Sequence, residues 1–340
     1  MENKTKKSLL WAGAGVGTLL ALRAFSRQKQ EFSFKDRTVL ITGGSRGLGL
    51  VLARMFAEQG ARIAICSRTQ HQLDAAKEEL KAGGAAVLAF NCDVTSQAQV
   101  KAMVSEITET WGPVEVLINN AGVISAGPLE EMKVADFEEA MNTHYWAPLY
   151  TMLEVMPEMK ARGEGRIVNI ASIGGKVSVP HLLPYSGSKF ALVGLSEGFR
   201  SELLPHGVRV STINPGLMRT GSARNAFVKG QHEKEYAWFA LADANPLISL
   251  AADGAARQII NACRYGKAEV TLGMNAKVAS AIHGLFPGMV TDILSLVNQL
   301  LPGPGGIGKA RVRGYESESA VTESPLTAPL WGPEIENNEL

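Results

Sequence analysis

A tyrosine and a lysine four residues apart, Tyr185 and Lys189, are the pair of side chains in this sequence best suited to acid/base chemistry. On a helix this spacing places both side chains on the same face, about one turn apart. A phenol with a pKa of about 10 is a poor proton carrier at neutral pH, and a neighbouring ammonium favours the phenolate and lowers that pKa. The pair is therefore a candidate acid/base for a reaction at a carbonyl or an alcohol. The spacing also fits a helix with a half-buried tyrosine and a solvated lysine, so other segments must decide between the two interpretations.

A glycine-rich segment, residues 42–49 (Thr-Gly-Gly-Ser-Arg-Gly-Leu-Gly), lies between a predicted strand and a predicted helix. The β-branched run 38–41 precedes it and the helical pattern 50–59 follows it. Strand, glycine loop and helix in this order are typical of a dinucleotide-binding fingerprint, because the glycines let the backbone approach a pyrophosphate and the helix N-terminus supplies amide donors. A second glycine series, at 13–17, has no preceding strand, and we interpret it as part of an N-terminal apolar helix.

Two more polar segments follow predicted strands. Asn119-Asn120-Ala121-Gly122 comes after the run 114–118, and Ser172 comes after the strand 166–171, thirteen residues before Tyr185. Ligands bind at the carboxyl ends of strands in open α/β sheets, so both segments are candidates for a site. An ordinary turn at 119–122 and a helix cap at Ser172 are the alternatives.

Together these segments resemble the short-chain dehydrogenase/reductase (SDR) family, of the classical type, over roughly residues 34–273. The resemblance implies a doubly wound Rossmann fold of class α/β, with a parallel sheet of about seven strands and the cofactor along its carboxyl edge. It also implies hydride transfer between nicotinamide C4 and a carbonyl carbon, and a homodimer formed through helices beside the site. The residues that carry the resemblance are the glycine loop 42–49, Asn119-Asn120-Ala121-Gly122, Asn142, Ser172, Tyr185, Lys189 and Asn214-Pro215-Gly216.

The resemblance assigns a role to each catalytic candidate. Tyr185 would exchange a proton with the substrate oxygen, and Lys189 would lower the pKa of Tyr185 and hold the nicotinamide ribose. Ser172 would bind the substrate oxygen where negative charge gathers. Asn142, on a helix predicted over 135–162, would hold a water that links Lys189 to solvent.

The periodicity of the chain agrees with an alternating strand and helix order, which favours a parallel sheet covered on both faces. Residues 34–275 are predicted to form one Rossmann-fold catalytic domain, since about 240 residues suit one such domain. Predicted strands lie at 38–42, 62–66, 86–90, 114–118, 165–170, 208–213 and 268–272.

The choice of cofactor depends on charge at the end of the second strand. The run 62–65 continues into Cys66-Ser67-Arg68-Thr69, which offers no acid for a free ribose 2′-hydroxyl. Arg68, together with Arg46 in the glycine loop, could bind a 2′-phosphate, so NADP(H) is favoured over NAD(H). The predicted cofactor contacts are Gly43, Ser45, Arg46, Leu48, Gly49, Arg68, Asp93, Val94, Asn119, Ala121, Gly122, Tyr185, Lys189, Pro215, Gly216 and Thr220.

Both ends of the chain extend beyond a minimal family member. Residues 1–33 contain an uncharged run, 8–22, with basic residues on both sides. It suggests a membrane anchor or interfacial helix with the catalytic domain in the cytoplasm, or else an amphipathic or disordered leader. Residues 276–302 are predicted to be apolar helices that need a cover, which membrane, a partner subunit or a lid would provide. Residues 303–340 are predicted to be a linker and a mostly disordered tail.

Residues 221–245 lie where the family places a variable substrate lid. Their aromatic side chains suit an apolar substrate, although they could equally pack the lid on the body of the protein. These side chains are Phe227, Tyr236, Trp238 and Phe239.

Composition limits the remaining classes of function. The chain has 34 basic and 33 acidic residues, so its net charge of +1 gives no support for nucleic-acid binding. Six histidines and three cysteines show no metal-ligand spacing, so no metal is predicted, and the odd, low cysteine count suggests a reducing compartment. His144 and His181 are interpreted as structural or substrate-lining.

The sequence therefore predicts an NADP(H)-dependent carbonyl reductase or alcohol dehydrogenase of a lipophilic substrate such as a steroid, retinoid or long-chain keto compound. A soluble reductase of small keto compounds or acyl thioesters is the second reading. A non-catalytic NADPH-binding scaffold or sensor is the third.

Overall fold

Seven parallel strands form the central sheet of the chain, which a computed structural model describes from residue 31 to residue 340. Their spatial order is β7-β6-β5-β4-β1-β2-β3, so the strand order reverses between β1 and β4, where ligands bind in doubly wound sheets. The predicted doubly wound fold is confirmed. The strands are β1 (Thr38–Thr42), β2 (Arg62–Ser67), β3 (Val87–Asn91), β4 (Val116–Asn119), β5 (Gly165–Ile170), β6 (Val208–Pro215) and β7 (Glu269–Leu272).

The central strands are buried on both faces, which is why they read as near-continuous apolar runs. Every residue of β1, β4 and β5 is buried, and Leu40, Leu117 and Ile167 share one core cluster. The predicted strand limits lie within two residues of the observed ones. Because both faces of a fully buried strand must be covered by helices, such an apolar run is stable only in the interior of the sheet.

Eleven α-helices surround the sheet within residues 31–340. They are α1 (Gly47–Ala57), α2 (Gln70–Ala82), α3 (Gln97–Trp111), α4 (Val134–Met141), α5 (Ala147–Arg162), α6 (Leu183–Leu203), α7 (His232–Ala244), α8 (Ala252–Tyr265), α9 (Met274–Leu285), α10 (Pro287–Asn298) and α11 (Ala328–Glu336). None of these helices is both long and apolar enough to cross a bilayer. The apolar run at 8–22 lies outside the described residues.

The helix predicted over 135–162 is interrupted. A π-helical turn, Asn142–Trp146, separates α4 from α5. Pro148, in the first turn of α5, has no N–H to continue the α-helical hydrogen-bond ladder, and its ring crowds the carbonyl four residues earlier. Such turns rotate the following side chains around the helix axis and are frequent at functional sites.

The C-terminal residues are ordered against the body of the protein, which corrects the prediction of a mostly disordered tail. Val312–Arg313 pairs with the lid strand Phe227–Val228, and α11 buries Leu330 among lid residues. The tail has little aliphatic content, so composition indicated disorder. Its order comes instead from backbone pairing, hydrogen bonds and one anchoring leucine.

Candidate active site

The glycine loop between β1 and α1 lies against the loop that follows β4. Gly43 has a φ of 63°, and a Cβ on it would come within 2.9 Å of the Ala121 Cα. A Cβ on Gly49 would come within 2.1 Å of the Gly43 carbonyl oxygen. Glycine is therefore required at both positions, by conformation at Gly43 and by close backbone approach at both.

Asn120 joins these two loops; it belongs to a predicted site segment but was not among the predicted cofactor contacts. Its Nδ2 donates to the carbonyl oxygens of Thr42 and Gly43, both at 3.1 Å. Thr42 Oγ1 accepts in return from the backbone N–H groups of Asn120 and Ala121, at 3.0 and 3.1 Å. The position of Asn120 immediately after a buried strand was the signal in the sequence that could have identified it.

Asn119 was predicted to contact the cofactor, but its side chain lies in the core and is 3% exposed. Its Nδ2 donates to Asn169 Oδ1 at 2.8 Å, and its Oδ1 accepts from Thr151 Oγ1 at 2.6 Å. Asn169 Nδ2 donates in turn to Ser196 Oγ at 3.0 Å. Side chains alternate along a strand, so Asn119 points into a buried polar network.

Ser172, Tyr185 and Lys189 come together at the carboxyl end of β5. Ser172 caps the 3-10 turn Ile173–Gly175, with its Oγ accepting from the Gly174 N–H at 3.0 Å. Lys189 is 4% exposed and its Nζ lies 5.6 Å from the Tyr185 ring centroid. That Nζ donates to the Ile170 carbonyl oxygen at 2.8 Å. The predicted helical spacing of Tyr185 and Lys189 is therefore realised on α6, with Ser172 opposite.

Burial controls the protonation of both acid/base groups. It raises the pKa of Tyr185, and a hydrogen bond with Ser172 opposes this only in part. It also lowers the pKa of Lys189 to about 7. Contrary to the expectation from the sequence, the effect of burial on the pKa of Tyr185 outweighs any lowering by the lysine. The protonated phenol is thus the main form of Tyr185 at neutral pH, and it can donate a proton to a developing alkoxide.

Asn142 and His144 both lie in the π-helical turn but differ in burial. Asn142 is exposed at the start of the turn, while His144, two residues later, is fully buried. The His144 ring meets the Tyr185 ring edge-on, with centroids 5.4 Å apart. Burial, and then the Lys189 charge, hold the pKa of His144 well below its usual value. The sequence pattern did not reveal the π-helical turn, which places His144 against Tyr185.

His144 is the centre of a hydrogen-bonded relay with a defined direction. Its Nε2 accepts from the Val123 N–H at 3.1 Å, so the proton of the neutral imidazole lies on Nδ1. Nδ1 donates to Ser188 Oγ at 2.7 Å, and Ser188 Oγ donates to the Tyr185 carbonyl oxygen at 2.8 Å. The relay connects the loop after β4 to the backbone of Tyr185, which makes His144 a positioning residue.

The lid is attached to the site by a buried polar contact. His181, with a φ of 61°, brings its Nδ1 within 2.8 and 3.0 Å of the two carboxylate oxygens of Glu235 on α7. Glu235 also accepts from Trp238 Nε1 at 2.9 Å. Tyr236 and Phe239 belong to a buried cluster made mostly of lid residues, together with Leu330 of α11 and the partly buried Ile124 and Leu217. These aromatic side chains therefore help to pack the lid against its neighbours, which is the second of the two interpretations.

Four arginine side chains lie close enough for their charges to interact near the glycine loop. Burial, together with the positive charges of Arg46, Arg311 and Arg68, lowers the pKa of Arg313. Arg68 is exposed at the end of β2. Arg46 forms an ion pair with Glu339, its Nη1 lying 3.1 Å from Oε2, and Arg311 forms one with Glu139. The positive charge of Arg68 and Arg313 beside these pairs would suit a phosphate group.

The other predicted cofactor contacts lie along the same edge. Ser45, Leu48 and Val94 are buried. Asp93 Oδ1 accepts from the Thr95 N–H and Oγ1, at 3.0 and 2.8 Å, so it orders the turn before α3. Of the remaining residues, Ala121 and Gly122 follow β4, Pro215 is the last residue of β6, and Gly216 and Thr220 come after it.

The chain matches known proteins over most of this fold. A family model described as short chain dehydrogenase matches residues 37–230. Dehydrogenase/reductase SDR family member 7B from Danio rerio is 32% identical over 291 residues, which cover 84% of this chain and 93% of that protein. Gluconate 5-dehydrogenase from Gluconobacter oxydans is 35% identical over 189 residues, which cover 56% of this chain and 74% of that protein.

Solved structures agree with these sequence matches. L-sorbose reductase from Gluconobacter frateurii, complexed with NADPH and L-sorbose, is 26% identical with a TM-score of 0.63, over 72% of this chain and 98% of that one. A gluconate 5-dehydrogenase from Burkholderia cenocepacia, in complex with NADP and tartrate, is 25% identical with a TM-score of 0.64, over 73% of this chain and 98% of that one.

Fold, site and matches define a Rossmann-fold oxidoreductase of alcohol and carbonyl groups. The chain belongs to the short-chain dehydrogenase/reductase family and is an NAD(P)-dependent enzyme that acts on a small-molecule substrate.

We expect His144→Phe to preserve the ring contact with Tyr185 but to break the relay. It leaves the Val123 N–H without its acceptor, which costs about 1–3 kcal/mol, and it removes the donor to Ser188 Oγ. The free energy of unfolding should fall accordingly, and kcat should fall about tenfold because Tyr185 is less well held. His71→Phe, at an exposed position on α2, is the control and should stay within about 0.5 kcal/mol of the parent. Chemical denaturation and steady-state kinetics measure both effects, and an unchanged kcat in His144→Phe would refute the positioning role.

Proposed function

We propose that this protein is an NADP(H)-dependent oxidoreductase that transfers a hydride between nicotinamide and a carbonyl or secondary alcohol of a lipophilic small molecule. The arrangement of Ser172, Tyr185 and Lys189 at the carboxyl end of β5, on the same edge of the parallel sheet as the glycine loop, is the observation that carries the proposal. It puts a proton donor, a hydroxyl for the substrate oxygen and a buried amine at one end of the sheet.

The roles of the chain's own groups follow from their surroundings. The bound nicotinamide supplies the hydride. Ser172 Oγ would donate to the substrate oxygen and stabilise the charge that develops there. Tyr185, protonated at neutral pH, would transfer its phenolic proton to that oxygen. Lys189, held by the Ile170 carbonyl, lies close enough to stabilise the phenolate that remains.

Tyr185→Phe should abolish this proton transfer while leaving the cofactor loops intact. We expect kcat to fall by about a hundredfold or more, which is the usual size of a general acid's contribution. The measurement is NADPH oxidation against a panel of steroids, retinoids, long-chain keto compounds, small keto acids and sugars, and acyl thioesters. The best substrates decide between the lipophilic reading and the small-molecule reading. NADPH binding without turnover of any compound, equal in both proteins, would instead favour the scaffold or sensor.

The proposed preference for NADP(H) is supported by charge. No acid follows β2, while Arg46, Arg68 and Arg313 lie close enough for their charges to interact. The two structurally similar proteins bound to NADPH and NADP, L-sorbose reductase and gluconate 5-dehydrogenase, are consistent with this choice. An arginine paired with a phosphate contributes more than a neutral hydrogen bond.

Arg68→Ala should weaken NADPH binding about tenfold or more, because a hydrogen bond to a charged group contributes about 1.5–3 kcal/mol. NADH binding should change little, since NADH has no 2′-phosphate. Lys101→Ala removes one positive charge from an exposed position on α3 and serves as the control. Nicotinamide fluorescence titrations give the dissociation constants. Equal losses for NADPH and NADH would argue against a 2′-phosphate contact at Arg68.

The proposed lipophilic substrate and membrane association are supported by the hairpin α9–α10, defined as Met274–Asn298. Met274, Leu285 and Leu296 are 71%, 74% and 63% exposed, and the hairpin contains only two formal charges, Lys277 and Asp292. A Cβ added at Gly216 would lie 3.3 Å from the Cβ of Ala276 in α9, so the hairpin begins beside the loop after β6. A lipid surface covering it would lie next to the carboxyl edge of the sheet, where a lipophilic substrate must enter.

A chain of residues 31–340 should float with vesicles of phosphatidylcholine and phosphatidylglycerol. Leu285→Asp combined with Leu296→Asp should weaken that partition about tenfold or more, since burying each exposed leucine side chain contributes about 1.5–3 kcal/mol of binding free energy. The control combines Leu129→Asp with Val134→Asp, which are 60% and 74% exposed elsewhere. No flotation of the parent chain would disprove lipid binding by the hairpin.

Light scattering of the same proteins tests the expected homodimer and shows whether the two hairpin substitutions dissociate it.

A further inference from the structure

The last four residues of the chain, Asn337–Leu340, run across the glycine loop. The Gly47 N–H, the first of α1, donates to the Asn337 carbonyl oxygen at 2.8 Å. Asn338 Nδ2 donates to the Ser45 carbonyl oxygen at 2.9 Å and to the Gln72 carbonyl oxygen at 3.0 Å. The C-terminus therefore makes direct backbone contacts with the helix end that would hold a pyrophosphate.

Glu339 places a carboxylate at the same point. Its side chain is 1% exposed, and its Oε2 accepts from Arg46 Nη1 at 3.1 Å and from Asn225 Nδ2 at 2.8 Å. A Cβ on Gly47 would lie 2.5 Å from Glu339 Oε1. A buried anion thus occupies the helix N-terminus and is paired with the arginine of the glycine loop.

A dinucleotide and the C-terminal segment would need the same groups. The Gly47 N–H and the Arg46 guanidinium are donors suited to phosphate oxygens, and both are taken by Asn337 and Glu339. The Asn337 carbonyl oxygen lies at hydrogen-bond distance from Gly47 N, so a phosphate oxygen cannot take that place without displacing it. The two occupants exclude each other.

We propose that Asn337–Leu340 is an intramolecular competitor of the dinucleotide, which occupies the phosphate-binding end of α1 and must detach before the cofactor binds. The proposal rests on the proposed function, because it takes the glycine loop as the cofactor site. It predicts that the apparent affinity for NADPH is lowered by the fraction of molecules in which the segment is docked.

The contacts of Asn337–Leu340 suit reversible docking. Asn337–Leu340 is held by hydrogen bonds and one ion pair, while Leu340 is exposed and Leu330 anchors the preceding helix. Burial raises the pKa of Glu339 to about 7, against the opposing effects of Arg46 and Asn225 and with a contribution from Glu334. Burying the ionised Glu339 carboxylate therefore costs free energy, and this free energy is recovered when the segment detaches.

Two variants of the full chain test the proposal. One ends at Glu336 and lacks the segment. The other, Glu339→Lys, keeps its length but places a positive charge against Arg46. Glu336→Lys makes the same charge change at an exposed position three residues earlier and is the matched control. Thermal unfolding of each protein verifies that it is folded.

NADPH affinity, measured by nicotinamide fluorescence, is the main readout. We expect a dissociation constant about tenfold lower for the truncated chain and for Glu339→Lys, as for a segment docked in about nine molecules of ten, and no such change for Glu336→Lys. Equal or weaker NADPH binding in the truncated, folded chain overturns the competitor while leaving the proposed function intact. If neither the parent nor the truncated chain binds NADPH or NADH, the proposed function fails and the competitor fails with it.

Two further measurements detect the displacement itself. Backbone hydrogen exchange in residues 334–340 should become faster when NADPH is added to the full chain, and unchanged or slower exchange contradicts detachment. A peptide of residues 328–340 should compete with NADPH for the truncated chain, whereas the same peptide with lysine at position 339 should compete less. Equal effects of the two peptides would contradict the role of the Glu339 carboxylate.

Discussion

The site depends on one close backbone contact, between the glycine loop after β1 and the loop after β4. Gly43 and Ala121 approach so closely that no side chain fits between them, and Asn120 seals the contact with two hydrogen bonds. These loops flank the point where the strand order reverses, so their contact determines the shape of the candidate cofactor groove. The N-terminal end of α1 and the loop after β4 are thereby fixed relative to each other.

Buried polar groups extend this rigidity to the candidate catalytic residues. One network joins Asn119, Asn169 and Ser196 across the sheet, and the His144 relay joins the loop after β4 to Tyr185. In a medium of low dielectric, such groups are costly unless each one has its partner, so they allow few alternative arrangements. Burial also raises the pKa of Tyr185 and lowers that of Lys189 to about 7. The same burial therefore restricts the positions of these groups and determines their protonation.

The sequence predicted the sheet well because every central strand is an apolar run, which is typical of a strand covered by helices on both faces. Helical spacing also predicted that Tyr185 and Lys189 share one face of α6, while the family resemblance implied that Ser172 joins them. The sequence pattern did not reveal the π-helical turn that leaves the Asn142 side chain exposed, nor the alternation of side chains at the end of β4 that buries the Asn119 side chain. The order of the tail was missed as well, since its contacts are long-range hydrogen bonds that local composition does not record.

The position of residues 337–340 beside the glycine loop has a consequence for biosynthesis. A ribosome makes residues 43–49 long before residues 337–340, and folding starts from the N-terminal side during synthesis. The glycine loop, all seven strands of the sheet and the lid precede Glu339 in the chain. A newly made molecule therefore meets the cellular dinucleotide pool before Glu339 can reach the glycine loop, so the order of synthesis favours cofactor binding over docking of the segment.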